Sequence, residues 1–217
     1  MSNPEKRPLV VYGAGGFGRE VAWLASRATA PFRVVAFADD GTRAGDATLE
    51  GTPVMQLSEA ARRFAGADVA VAVGSPPLRE QMTMRAQQAG LRPSVLLHQN
   101  VEMSHSVEIG HGSVICAGCI LTVNITIGAH VHINLNCTVG HDAVLEDYAT
   151  LAPGVNVSGW VRIERGAYVG TGASIINGTS GAPMVVGAGA TIGAGAVVTR
   201  SIPAGATAVG IPAKPRA

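Results

Sequence analysis

The sequence predicts a chain in two parts: an α/β unit with a parallel sheet over residues 1–95, then an all-β parallel coil over residues 96–217. Three observations carry that prediction. Up to about Ser94, short apolar runs alternate with segments of helical spacing, the βαβ order that implies a parallel sheet. From Leu97 onward an aliphatic residue returns at every sixth position. The 28 glycines fall at intervals instead of in one tract, which marks a repeated turn chemistry.

In the first part, residues 9–12 read as a strand, 16–26 as a helix, 34–38 as a strand, 57–64 as a helix, 68–73 as a strand and 76–89 as a helix. The first strand runs into Gly13-Ala14-Gly15-Gly16-Phe17-Gly18, a G-x-G-x-x-G that opens the first helix. Backbone N–H groups at a helix N-terminus bind phosphate, and glycine lets the ligand approach the main chain. The alternative is that Gly15 and Gly18 serve only tight packing of helix on strand. Asp39 and Asp40 close the second strand, where a carboxylate can reach a ribose or a base. Fewer than a hundred residues make about one mononucleotide-binding half of a Rossmann-like fold, which favours a nucleoside diphosphate carried on another group over NAD. Ser75 and Arg79 follow the third strand. They either close over the nucleotide or serve as a helix N-cap and a solvated side chain.

The coil rests on its period. Leu97, Met103, Ile109, Ile115, Leu121, Ile127, Ile133, Val139, Leu145, Leu151, Val157, Ile163, Val169 and Ile175 are all aliphatic; chance would give such a run with odds on the order of 10⁻⁸. Small or aliphatic residues stand four places after each, from Val101 to Thr179, and fit the same interior. Three hexads close one triangular turn of eighteen residues, so Ile115, Ile133, Leu151 and Val169 stack along the axis at about the 4.8 Å strand spacing. After Ile175 the register slips and resumes at Val186. Residues 177–183 are therefore expected to project as a loop, a place where function often sits.

Composition narrows the partners. Sixteen Lys and Arg against fifteen Asp and Glu leave a net charge of +1, with 4% aromatic residues, which supplies neither the field nor the stacking platform of a nucleic-acid binder. The polar start and the short apolar run before Gly13 give no export signal or membrane span. Cys116, Cys119 and Cys137 cannot all pair, and free thiols in a reducing cytoplasm are expected. Cys119 and Cys137, eighteen apart, read as stacked interior thiols.

Of the six histidines, His98, His105, His111, His130, His132 and His141, most are expected on the surface. His141 is followed directly by Asp142 at a corner of the coil; an imidazole held by a carboxylate can accept a proton near neutral pH. A surface pair without catalytic work is the alternative. A metal shared by His105 and His141 is disfavoured, because two turns separate them by roughly 10 Å while zinc bonds are about 2 Å. The third position of that spacing is Glu146.

The hexads resemble the left-handed β-helix of the hexapeptide-repeat acyltransferases. With the glycine loop in front and Asn134 and Gly140-His141-Asp142 in the coil, nearly the whole chain resembles the nucleotide-sugar N-acetyltransferases of bacterial surface-glycan (O-antigen) synthesis. The resemblance implies that the front unit holds a nucleotide diphosphate and that the coil binds acetyl-CoA between the subunits of a homotrimer. It implies His141 as base, Asp142 as its acidic partner and Asn134 as a nearby polar contact, with acetyl-CoA as co-substrate and no further cofactor. For the acetyl donor it implies Thr150, the N–H at Gly159, and a tail of Ile211, Pro212 and Lys214, with Arg216 as a further basic residue. Phe17 and Thr150 stand where relatives acting on UDP-linked amino sugars often carry histidines. The implied acceptor is a GDP-linked 4-amino-4,6-dideoxy sugar, GDP-perosamine by likeness. A sugar O-acetyltransferase and a non-catalytic nucleotide-binding trimer are the competing expectations.

Overall fold

The computed structural model describes residues 6–41 and 48–216, and the chain divides into two units, Met1–Gln99 and Asn100–Ala217. The first contains β1 (Arg7–Tyr12), α1 (Gly16–Ser26), β2 (Phe32–Ala38), β3 (Thr48–Leu49), β4 (Thr52–Met55), α2 (Leu57–Arg63), β5 (Asp68–Val71), α3 (Pro76–Gln88) and β6 (Arg92–Pro93). Its sheet has the order β3-β4-β2-β1-β5-β6. The central strand is buried on both faces, with Leu9 to Tyr12 at most 1% exposed, as expected of a parallel strand covered by helices.

Helices and central strands lie where periodicity puts them, with ends shifted by one or two residues. The edge pieces β3, β4 and β6 escape the sequence reading because two to four residues carry too little pattern. The β3–β4 hairpin is set by Glu50 and Gly51, at φ of 50° and 77°, the paired left-handed residues that a two-residue turn needs. The tightest packing is at Gly18: a Cβ there would meet the Gly13 carbonyl oxygen at 2.0 Å, so only glycine lets α1 start so close to the end of β1.

The second unit is a left-handed parallel β-helix. Strands of two or three residues stack in parallel with an eighteen-residue register, Ile115 on Ile133, Leu151 on Ile133 and Val169 on Leu151. All four side chains of that ladder are 0% exposed, and burying each contributes about 1.5–3 kcal/mol against the entropy of ordering the chain. Each turn bends at left-handed residues. One corner column is Asn124, Asp142 and Trp160 at φ of 55–57°, and another carries His130 at 56° and Tyr148 at 60°. Left-handed backbone is costly for large side chains, and the ladders on either side over-determine it.

The slip after Ile175 is an insertion. Val161 pairs with Met184, five residues beyond the regular register, and the extra chain forms an exposed turn closed by Thr179 and Ala182. Thr179 is thus outside the prism and not in its interior, as the hexad pattern had it. The last turn is two residues short, with Ile192 on Ala208. Met103 and Ile109, in the first turn, are only half-buried. The expectation for the histidines also needs correction: His98, His130 and His132 are 2–4% exposed. His130 occupies a left-handed corner and stacks on Tyr148 with 5.0 Å between ring centroids, while His132 occupies a strand position. The imidazole serves there as a flat packing group. Among the described residues, no helix is long and apolar enough to cross a membrane.

Candidate active site

In the first unit the ends of β1, β2 and β5 open onto a cavity of about 380 Å³ lined by Gly13, Ala14, Gly15, Asp39 and Asp40 together with residues of α3. Gly13 takes φ of +120°, and a Cβ there would lie 2.7 Å from the Ala72 carbonyl oxygen, so the loop is built for glycine on two counts. Asp39 braces it: one carboxylate oxygen accepts the Ala14 N–H at 3.2 Å and the other the Gly41 N–H at 2.8 Å. Asp40 is held from three sides, by the Leu57 N–H at 3.2 Å, the Tyr12 hydroxyl and the Arg85 guanidinium at 3.1 Å. Burial, reinforced by that bond to Asp40, pushes the Tyr12 hydroxyl well above its ordinary range, which keeps it a donor.

Other residues of the sequence reading fall outside the lining of this cavity. Gly16 is exposed at the start of α1, Phe17 is half-buried, and Gly18 is the packing glycine described above. Ser75 precedes α3 without making a side-chain cap bond. Arg79 is 0% exposed, and its Nη1 donates to the carbonyls of Val73 at 3.1 Å and Gly74 at 3.4 Å. It holds the β5–α3 turn from inside and is not a solvated side chain. The sequence reading missed Tyr12, Leu78, Met82 and Arg85. The last three were detectable, since positions 78, 82 and 85 share one face of a helix.

In the coil, His141 Nδ1 lies 2.8 Å from Asp142 Oδ2, with the imidazole side chain 54% exposed and the carboxylate 25%. That bond fixes the ring and leaves Nε2 directed away from the acid. Gly159 lies against the ring: a Cβ at that position would stand 2.4 Å from Nε2. Trp160 packs edge-on to the imidazole with centroids 6.3 Å apart, and its backbone N–H donates to the His141 carbonyl at 3.0 Å. One turn back, Asn124 Nδ2 donates to Asp142 Oδ1 at 3.4 Å. Asn124 and Trp160, also missed, lie eighteen residues on either side of Asp142, so the period itself pointed to them.

The predicted residues of the coil fall in three groups, the second and third of which share one sheet of the prism, the one that runs from the strand His132–Ile133 through Thr150–Leu151 to Lys214–Pro215. His141, Asp142 and Gly159 form the corner just described. Asn134 follows the strand His132–Ile133, its Oδ1 accepting the Leu135 N–H at 2.7 Å and its own N–H donating to the Leu151 carbonyl at 2.9 Å, beside Thr150, which is 5% exposed. Ile211 is 77% exposed, and Pro212 and Lys214 are exposed in the terminal segment, where Lys214–Pro215 pairs antiparallel with the preceding strand.

Among the described residues no cluster of three His, Cys, Asp or Glu side chains could hold a metal ion, and Glu146 instead pairs with Arg162 at 2.9 Å. The three cysteines are buried and stand outside any disulfide. Cys119 and Cys137 donate to the carbonyls of Asn134 at 3.1 Å and Ala152 at 3.2 Å. The neighbouring Cys119 sulfur, with burial, pushes Cys137 far above the ordinary thiol range, so it stays protonated.

Residues 8–86 match the PglD N-terminal domain family. No curated protein matches the chain by sequence. Among solved structures, WeeI from Acinetobacter baumannii AYE is 40% identical with a TM-score of 0.88, the match covering 96% of this chain and 99% of that one. The acetyltransferase domain of PglB from Neisseria gonorrhoeae FA1090, in complex with acetyl coenzyme A, is 36% identical over 98% of this chain and 100% of that one, with a TM-score of 0.86. PerB from Caulobacter crescentus, in complex with CoA and GDP-perosamine, is 28% identical over 97% of each chain, with a TM-score of 0.86. With a PglD N-terminal domain in front of a left-handed β-helix, and with this identity along its whole length, the chain belongs to the family of WeeI and the PglB acetyltransferase domain, and it is an acetyltransferase.

Proposed function

We propose that the chain transfers acetyl from acetyl-CoA to the C4 amine of a nucleotide-linked amino-dideoxy sugar, with GDP-perosamine as the acceptor. The observation that carries this reading is the exposed imidazole of His141, oriented by Asp142 at 2.8 Å and backed by a residue with no side chain. The complex of PerB with CoA and GDP-perosamine supports the choice of substrates. Gly13, Gly15, Asp39 and Asp40 line the cavity that would take the nucleotide diphosphate.

The sugar amine attacks the thioester carbonyl directly, forming the C–N bond and a tetrahedral oxyanion. The oxyanion collapses to the amide as the C–S bond breaks and CoA leaves as its thiol. No covalent acetyl-enzyme is needed. Holding two reactants in attack geometry supplies much of the rate. His141 Nε2 takes the proton that the amine gives up and returns it to the departing sulfur, so that CoA leaves as its thiol and the imidazole ends neutral. An amine is already a competent nucleophile, so this help is worth about 10²-fold, the low end for general-base catalysis. The Gly159 N–H, which meets no acceptor among the described residues, is suited to stabilise the oxyanion.

A homotrimer accounts for the placement of Asn134, Thr150, Ile211, Pro212 and Lys214 away from His141, since a groove between neighbouring copies brings different prism faces together. Buried reduced thiols fit a cytoplasmic setting. The test is thiol release from acetyl-CoA. Release that requires a GDP-linked amino sugar, and fails with its hydroxyl counterpart, supports N-acetyltransfer. Release with the hydroxyl sugar alone makes the enzyme an O-acetyltransferase, and release with neither excludes a GDP-linked acceptor.

A further inference from the structure

The nucleotide cavity of the first unit is bounded on one side by the side chains of Leu78, Met82 and Arg85. These stand four and three residues apart on α3 and so share one face of the helix. Leu78 and Met82 give an apolar strip on which a flat heteroaromatic ring can lie, and Arg85 places a cation at its end. A second cavity of about 450 Å³, lined by Gln56, Ser58 and Gln88, has Asp40 and Arg85 in common with the first. The Asp40–Arg85 ion pair therefore stands between the two spaces, at the far end of the helix from the glycine loop.

Arg85 is held there by an acid that is itself immobilised. Asp40 accepts the Leu57 N–H and the Tyr12 hydroxyl, and Tyr12 is 1% exposed. The ion pair with Asp40 uses a single terminal nitrogen of Arg85, whereas a guanidinium carries five N–H donors in a fixed fork. Arg85 itself lines the first cavity, which has an apolar bed and, among the described residues, no other cation in its lining.

We propose that Arg85 selects the nucleobase, pairing through its fork with the O6 and N7 acceptors of guanine while Leu78 and Met82 support the ring. This rests on the reading that the cavity holds a nucleoside diphosphate, and deepens it by naming the residue that sets the base. Of guanine, uracil and adenine, only guanine presents two adjacent acceptors on one edge. Uracil offers one carbonyl there, and adenine places an amino donor where guanine has O6, against the cation.

The experiment is calorimetric binding of GDP, UDP and ADP to the wild-type chain and to Arg85→Lys, which keeps the charge beside Asp40 and removes the fork. Thermal melting of both proteins checks that the fold survives, and Arg85→Gln serves as a second variant. The wild type is expected to bind GDP most tightly. In Arg85→Lys the GDP affinity falls by about 5- to 150-fold, the range of one bidentate base contact, while UDP changes by less than about twofold. Equal losses for GDP and UDP, or an unchanged GDP affinity, overturn the proposal and leave the nucleotide reading standing, as does a wild-type preference for UDP. Failure of the wild type to bind any of the three overturns the nucleotide reading and the proposal with it.

Discussion

The two units build a polar site in opposite ways. In the α/β unit, the ends of three strands and the face of a helix converge from distant parts of the sequence, and each charged group is held by a different partner: Asp39 by the glycine loop, and Asp40 by α2, Tyr12 and Arg85. In the coil, one short stretch supplies both acid and imidazole, and its supports, Asn124 and Trp160, come from the same corner one turn before and after. Convergence gives a pocket that can enclose a ligand. Repetition gives a rigid edge on which one residue can be exchanged while the backbone stays as it is. The first unit therefore suits binding and the second suits chemistry, so substitutions in the two should separate KM from kcat.

The largest effect is expected at Gly159→Ala. A methyl group 2.4 Å from Nε2 has to displace the imidazole and shift the N–H beneath it, and misplacing a catalytic group by about 1 Å costs on the order of 10²-fold in rate. We expect kcat to fall by about 10² to 10³-fold with thermal stability nearly unchanged, read by steady-state kinetics and a melting curve. Next is Gly13→Ala in the other unit, where the positive φ and the Ala72 carbonyl at 2.7 Å both oppose a side chain. Roughly 1–3 kcal/mol of stability should be lost, visible in urea unfolding, together with a raised KM for the nucleotide sugar and little change in kcat.

A smaller effect is expected at Asn124→Ala, which removes the long bond to Asp142 and should lower kcat by about two- to tenfold. Restoring the amide with Gln tests whether the bond, and not the bulk, is responsible. The smallest concerns His98, whose burial, with the Arg27 charge, lowers its proton affinity. A histidine held neutral in the fold stabilises it above the unfolded value of about 6.5 and ceases to do so as pH falls through the lowered folded value. Urea midpoints at pH 7 and pH 5 should therefore differ by less in His98→Gln than in the wild type.

Legibility in the sequence follows the same division. In the coil, six-residue spacing fixes which residues face inward, because each ladder position sees the same surroundings eighteen residues later. Even the insertion at 177–183 showed as a break in that beat. Periodicity reads the interior well and the exterior poorly, so it did not distinguish the buried His130 and His132 from the exposed His141. In the α/β unit the glycine loop and the paired acids were legible from local motifs. The bonds from Tyr12 and Arg85 to Asp40 were not, since they join residues 28 and 45 positions away and depend on how strands and helix pack. Arg79 shows the same limit, because a charged residue near a helix start reads as solvated until the turn it holds is seen around it.

The most direct test of the division of labour is steady-state kinetics of His141→Asn with acetyl-CoA and a GDP-linked 4-amino sugar. The substitution should lower kcat by about 10²-fold and leave KM for both substrates within a few-fold of wild type. A kcat equal to wild type, or a loss beyond about 10⁵-fold with CoA binding intact, would contradict an imidazole that assists an already reactive amine from the corner of the prism.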